Sequence, residues 1–94
     1  MSSPDIRVRS WVRGSDADVR TGLLGFVSVY YGDVVLDGLT VRQTADGRLT
    51  LSFPERRDRR GGRHPYIRPI DDAARQRIER AIFASATEIT EASP

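Results

Sequence analysis

All fifteen basic side chains of this 94-residue chain are arginine. Five of them fall within eight positions, at Arg56, Arg57, Arg59, Arg60 and Arg63. Guanidinium groups pair with phosphate through two parallel hydrogen bonds, and a dense cluster of them attracts polyanions and releases counterions on binding. The cluster therefore predicts a phosphate-binding surface. A solvated surface loop, with arginine replacing lysine because of a GC-rich coding sequence, is the competing interpretation.

A second group of arginines lies on the flank and outer face of a helix expected near the C-terminus. Arg75, Arg77 and Arg80 are expected to extend the basic surface, although a polar outer face is also the ordinary property of an amphipathic helix. Net charge is only +2, so the argument depends on the distribution of charge. The predicted nucleic-acid contacts are Arg56, Arg57, Arg59, Arg60, Arg63, Arg75, Arg77 and Arg80.

The sequence offers little for catalysis or metal binding. His64 is the only histidine and cysteine is absent, which excludes histidine clusters, thiolate zinc sites and cysteine nucleophiles. Asp71 and Asp72 are interpreted as helix caps, and Gly61-Gly62 neither follows an apolar strand nor opens a helix, as a phosphate loop requires. We therefore expect no enzyme, catalytic residue, metal, cofactor or small-molecule substrate.

Length and hydropathy indicate one small protein of the cytoplasm. Ninety-four residues fit a single domain. The N-terminus lacks the features of a signal peptide, and no apolar run approaches the roughly 20 residues of a membrane helix, so no membrane association is expected. A chain this short buries a modest fraction of its surface, which favours a homodimer.

The first half of the chain has the pattern of an antiparallel sheet. Apolar and charged residues alternate over residues 5–11, which predicts a strand, and the polar residues 14–18 predict a loop. Two runs rich in β-branched and aromatic residues, 23–31 and 34–41, are separated by a Gly-Asp turn and predict a hairpin. Gly38 within the second run predicts a bulge or a close approach of another backbone segment.

The second half predicts one more clear strand and a basic loop. Leu49, Leu51 and Phe53 alternate with polar residues after an Asp-Gly turn, and a proline ends that strand. Residues 55–64 are expected to form an exposed, mobile loop because they carry the arginine cluster. Residues 66–70 allow a short edge strand.

The last predicted element is an amphipathic helix capped by Asp71 or Asp72. Phe83 is expected to point away from its apolar stripe. The predicted fold is α+β, with an antiparallel β-sheet of four to five strands in hairpins followed by one C-terminal helix; a single domain covers residues 5–89, and residues 90–94 form a frayed tail. The stripe consists of Ala74, Ile78, Ala81, Ile82 and Ile89.

The order and spacing of these elements resemble the stage V sporulation protein G family, also called SpoVG-like septation proteins. The resemblance covers roughly residues 5–85. It departs from the family at Arg68, where members usually have histidine, and in having arginine where members have lysine. The matching stretches are Asp5-Ile6-Arg7-Val8-Arg9, Phe26-Val27-Ser28-Val29, Gly32-Asp33-Val34-Val35, Leu39-Thr40-Val41, Leu49-Thr50-Leu51-Ser52-Phe53-Pro54 and Pro69-Ile70-Asp71-Asp72 with the helix Ala73-Ala74-Arg75-Gln76-Arg77-Ile78.

The resemblance implies a homodimer built through strands that binds DNA, in some members also RNA, as a gene regulator with effects on sporulation and septum formation. We therefore expect a dimeric, cytoplasmic regulator of transcription that binds nucleic acid mainly through arginine-phosphate contacts, with DNA as the first expected ligand and RNA as the second. The alternative is a protein-interaction module that acts in septation, cell division or sporulation through an exposed strand edge, without binding nucleic acid.

Overall fold

A computed structural model describes residues 4–86 and 88–89. Strands β1 to β4 form one antiparallel sheet in chain order, and β5 and β6 form a separate two-stranded hairpin. This α+β arrangement with a C-terminal helix confirms the predicted fold class. The elements are β1 (Ile6–Arg13), α1 (Asp16–Arg20), β2 (Leu23–Tyr31), β3 (Val34–Gln43), β4 (Leu49–Ser52), β5 (Glu55–Arg57), β6 (Arg63–Pro65) and α2 (Asp72–Ser85).

The hairpin of β2 and β3 contains the predicted bulge. Val27 pairs with Leu39 and Val29 pairs with Leu36, so β3 has one more residue than β2 over this stretch. Gly38 supplies the irregularity, because its φ of 78° lies in the left-handed region that side chains disfavour. The bulge keeps Leu36 and Leu39 on the same buried face although they are three residues apart.

Helix α2 covers one face of the four-stranded sheet. Asp71 is the cap, and its carboxylate accepts a hydrogen bond of 2.8 Å from the backbone N–H of Ala74. Ala74, Ile78 and Ile82 are buried, as the stripe predicts. The helix ends at Ser85, so Ile89, which the predicted stripe included, is buried outside α2. The buried apolar residues are Val19, Leu24, Val27, Val29, Leu36, Leu39, Val41, Leu51, Ala74, Ile78, Ile82, Ala86 and Ile89.

One side chain of α2 is oriented differently from the prediction. Phe83 is partly buried and packs against the core rather than pointing away from it. The ring extends far enough from the flank of the helix, next to the fully buried Ile82, to reach apolar neighbours. The helix therefore buries a wider strip than the periodic positions alone suggested.

The predicted loop at residues 14–18 is wrong, because a short helix, α1, begins there. Ser15 accepts a hydrogen bond of 3.1 Å from the N–H of Asp18, and the Asp18 carboxylate accepts one of 3.1 Å from the N–H of Ser15. This reciprocal capping box satisfies two backbone donors that a helix start would otherwise leave unpaired. The polar residues that resembled a loop are the cap and first turn of the helix.

Two further predictions concern the segment between the sheet and α2. The predicted loop at residues 55–64 instead contains the β5–β6 hairpin. The short edge strand expected at 66–70 is wrong, because the strand of this region, β6, lies at Arg63–Pro65 and residues 66–70 form none. The predicted frayed tail, residues 90–94, lies outside the described residues. Within the described part of the chain, no helix is both long and apolar enough to span a membrane.

Candidate nucleic-acid interface

Asp58 shapes the turn of the β5–β6 hairpin. Its Oδ1 accepts hydrogen bonds from the backbone N–H groups of Arg60 at 2.9 Å and Gly62 at 2.8 Å, and its Oδ2 lies 2.7 Å from Nε2 of His64. A Cβ at Gly62 would lie 2.6 Å from Oδ2 of that carboxylate, so a larger residue at this position would displace the Asp58 side chain. The bond with His64 and the two backbone donors lower the pKa of Asp58. The acidic residue thus orders a turn that composition alone suggested was mobile.

Pairing within the hairpin separates its arginines between two faces. Arg57 lies opposite Arg63, and Arg56 lies opposite His64. Because successive side chains of a strand point to opposite faces, Arg57 and Arg63 share one face and Arg56 projects from the other. Arg59 and Arg60 lie in the turn.

The hairpin face with Arg57 and Arg63 forms one wall of a groove of about 510 Å³. Other walls come from the open face of β3 and β4, residues 67–69 and the first turns of α2. Five elements or connections each contribute one arginine to this arginine groove, although their positions span more than thirty residues of sequence. These are Arg42 from β3, Arg57 from β5, Arg63 from β6, Arg68 from the connection to α2, and Arg75 from α2.

Glu55 is the only carboxylate among the residues that line the arginine groove. It pairs with Arg63, whose Nε lies 2.6 Å from the Glu55 Oε1. Among the described residues, Arg42, Arg57 and Arg68 form neither ion pairs nor side-chain hydrogen bonds. These three guanidinium groups have no hydrogen-bonding partner in the described part of the chain, whereas Arg63 and Arg75 each have one. Together the five groups create a positive potential in the groove that attracts phosphate oxygens.

Arg75 also holds the groove together. It is half-buried, its Nη1 donates a hydrogen bond of 2.6 Å to the backbone carbonyl of Leu51, and its guanidinium lies 5.6 Å from the ring centre of Phe53. These contacts join α2 to β4 and to the residue that follows its end, Phe53. Because a guanidinium has five N–H donors, the bond to Leu51 leaves others for a ligand.

The structure gathers only part of the predicted arginine set. Arg57, Arg63 and Arg75 lie in the groove, whereas Arg56, Arg59, Arg60 and Arg80 do not line it. Arg77 lines an adjacent, mainly apolar pocket. The predicted basic surface is therefore divided between a concave groove and exposed arginines of the hairpin and helix.

Two groove arginines were absent from the predicted set. Arg42 lies in β3 opposite Thr50, on the sheet face away from α2, and nothing in its local sequence distinguishes it from an ordinary exposed strand residue. Arg68 was noted only as a departure from the resembled family. The one available signal was its position next to the apolar Val41. Successive side chains of a strand point to opposite faces, so a buried Val41 places the guanidinium of Arg42 on the open face.

Comparison of the chain with protein-family models, with curated proteins and with solved structures gives no match. The described residues contain no group of three or more histidine, aspartate or glutamate side chains placed to hold a metal ion. The convergence of arginines in one groove is the most specific chemical feature of the described chain. The arginine groove is therefore the candidate functional site.

Proposed function

We propose that the protein is a dimeric nucleic-acid-binding regulator of the SpoVG-like type, acting in the cytoplasm on DNA, with RNA as the second candidate ligand. The single observation that carries the proposal is the convergence of five arginines from five parts of the chain around a groove with one carboxylate. Phosphate is the group that such an arrangement binds best, because guanidinium donors match its oxygens in pairs.

Contacts of this kind set affinity more than sequence preference. Arginine-phosphate pairs position a protein on nucleic acid without reading bases, and their strength falls steeply as salt rises. We expect about four to six phosphate contacts and therefore a pronounced salt dependence. Exposed Arg77 and Arg80 on α2 are available for additional contacts, including contacts with base edges in a groove of DNA.

The open face of the sheet supports a homodimer. Val12 is 61% exposed and Phe26 44% exposed, and the two are direct cross-strand neighbours on the face that α2 does not cover. Tyr30 and Val35 form a second exposed apolar pair there, and the Ser28–Asp37 hydrogen bond of 2.6 Å lies between the two pairs. Two apolar patches that flank a hydrogen-bonded polar pair can pack against the same face of a second copy of the chain.

A second candidate function is a protein-interaction module of septation or sporulation. The observation that favours it is strand β1, eight residues long, which pairs with β2 on one side and with no other strand among the described residues. An extended peptide can add to such an edge through backbone hydrogen bonds. This candidate predicts binding that depends little on salt.

The decisive experiment compares two triple variants of equal charge. Replacing Arg42, Arg57 and Arg68 by glutamine removes the three unpaired groove arginines. Binding to duplex DNA and to RNA is measured by fluorescence anisotropy at several salt concentrations. We expect weaker binding and a slope of log affinity against log salt that is flatter by about two to three units.

The matched control replaces Arg9, Arg13 and Arg20 by glutamine, which removes the same charge from residues that line no part of the groove. The control should change the slope little. Equal losses in the two triple variants would show that net charge alone governs binding and would contradict the groove as the site. No binding by the parent protein at low salt would exclude the proposal and favour the interaction module.

A further inference from the structure

An apolar pocket of about 340 Å³ lies beside the arginine groove. Its lining is mainly aliphatic and aromatic, with Phe53, Ile67, Ile70 and Ile78 among the contributors. Ile70 is 89% exposed and Ile67 is 40% exposed. Large apolar side chains exposed around a concave surface indicate a site that another molecule covers.

The pocket and the arginine groove share a wall. Phe53, Ile67, Arg68 and Pro69 line both of them. A ligand that lies across this wall meets guanidinium groups on one side and apolar side chains on the other. An anionic group next to an uncharged group with apolar faces would match these two surfaces.

We propose that this apolar pocket, named here the base pocket, receives an unstacked base of single-stranded nucleic acid whose phosphates lie in the arginine groove. This inference rests on the proposed function and specifies which form of nucleic acid the site takes. Single-strand binding proteins combine a positively charged groove that follows the backbone with apolar or aromatic surface against which bases pack. The two adjoining surfaces here have those two properties.

The geometry favours a single strand over a duplex. In a duplex the bases are paired and stacked, so one of them must be unpaired and unstacked, at a cost in free energy, before it can enter a pocket. A single strand can turn its bases away from the phosphates without that cost. Arg68 and Arg77 are the two charged residues that line the base pocket, so its charge complements a polyanion rather than another basic surface.

The test uses three ligands of equal length at one salt concentration. They are an oligothymidylate of roughly ten nucleotides, the corresponding abasic strand and the corresponding thymidine-adenosine duplex. The abasic strand has the same phosphates and no bases, so it measures the contribution of charge alone. Affinities are measured for the parent protein and for Ile70→Ser, Ile67→Ser and Arg57→Gln.

We expect the parent to bind oligothymidylate about five- to tenfold more tightly than the abasic strand, the effect of one packed base. Ile70→Ser and Ile67→Ser should remove most of that difference and leave abasic-strand affinity unchanged. Arg57→Gln should weaken binding of both strands and preserve their ratio. Ile70 is almost fully exposed, so its substitution should leave the melting temperature unchanged.

Equal affinity of the parent for the oligothymidylate and abasic strands would overturn the base pocket. If those strands and the duplex still bind with steep salt dependence, the proposed nucleic-acid function stands without it. If Ile70→Ser halves the particle mass in light scattering without changing the ratio of the two strands, the pocket is an interface between copies, and the inference is likewise overturned. Failure of all three ligands to bind would contradict both proposals.

Discussion

Glu79 accepts a hydrogen bond of 2.8 Å from the backbone N–H of Leu51. Arg75, one helical turn earlier on α2, donates to the carbonyl of the same residue at 2.6 Å. Residues at i and i+4 share a helix face, so both side chains can form hydrogen bonds with the backbone of one residue of β4. The outward backbone groups of Leu51 are thereby satisfied, and no further strand can pair with β4 at that position.

Glu79→Ala should destabilise the domain by about 1 to 3 kcal/mol, because the part-buried N–H of Leu51 loses its acceptor. Urea denaturation measures the change. Glu79→Gln retains a side-chain oxygen and should lose less. Arg80→Ala, on the exposed neighbouring residue, serves as the control and should stay within about 0.5 kcal/mol. Equal stability of Glu79→Ala and the parent would mean that water replaces the carboxylate at no cost.

Ile82→Ala should cost about 2 to 5 kcal/mol, because this side chain is 0% exposed in the centre of the core and its truncation leaves a cavity. Ile70→Ala is the matched control with the same chemical change at an exposed position, and it should be nearly neutral. Thermal melts followed by circular dichroism compare the two. Similar melting temperatures would show that α2 is packed differently from the arrangement described above.

Arg57→Gln and Arg56→Gln test the two faces of the β5–β6 hairpin separately. Arg57 lies in the arginine groove and Arg56 projects from the opposite face, so only Arg57→Gln should weaken nucleic-acid binding strongly. The hairpin should tolerate Arg57→Gln, since Arg57 lies directly opposite Arg63 and like charges at such positions repel. Anisotropy titrations at low salt provide the comparison. Greater loss from Arg56→Gln would place the binding surface on the outer face.

The conformation of the β5–β6 hairpin turn should change when the pH is lowered into the acidic range. Hydrogen bonding to His64, and then to two backbone N–H groups, holds the pKa of Asp58 below its ordinary value of 3.8. A lowered folded pKa means that the stabilisation is complete above the unfolded value and is lost as the pH falls through the folded one. The amide NMR signals of Arg60 and Gly62 should therefore shift below about pH 4. Asp58→Asn should abolish that titration, and an unchanged titration in this variant would assign it to another group.

The parent protein should be a homodimer at micromolar concentration, and Val12→Ser combined with Phe26→Ser should shift it towards monomer. Both side chains lie exposed on the open sheet face, so their loss removes apolar contact area from the proposed interface. Multi-angle light scattering measures the mass, and circular dichroism confirms that the variant remains folded. A clean monomer mass for the parent would contradict the dimer.

The amino-acid sequence determined the elements whose signals are local. Alternation placed β1 and β4, the Gly-Asp turn placed the β2–β3 hairpin, and Asp71 with the apolar period placed α2. Each signal depends on neighbours within a few residues, because side-chain direction in strands and helices repeats over two and about 3.6 positions. The capping box at Ser15 and Asp18 was also local and readable, but the short polar helix it begins lacks an apolar stripe.

Tertiary structure alone decided which arginines meet. The linear cluster at residues 56–63 suggested one basic loop, but the hairpin register turns Arg56 away from the groove and Arg57 into it. Arg42 and Arg68 join Arg57 because the chain returns β5 and the 67–69 connection over the open face of β3. Such proximity depends on how separate elements pack and on the register of their pairing. Neither is encoded in the spacing of arginines along the chain, so the groove exists only in the folded molecule.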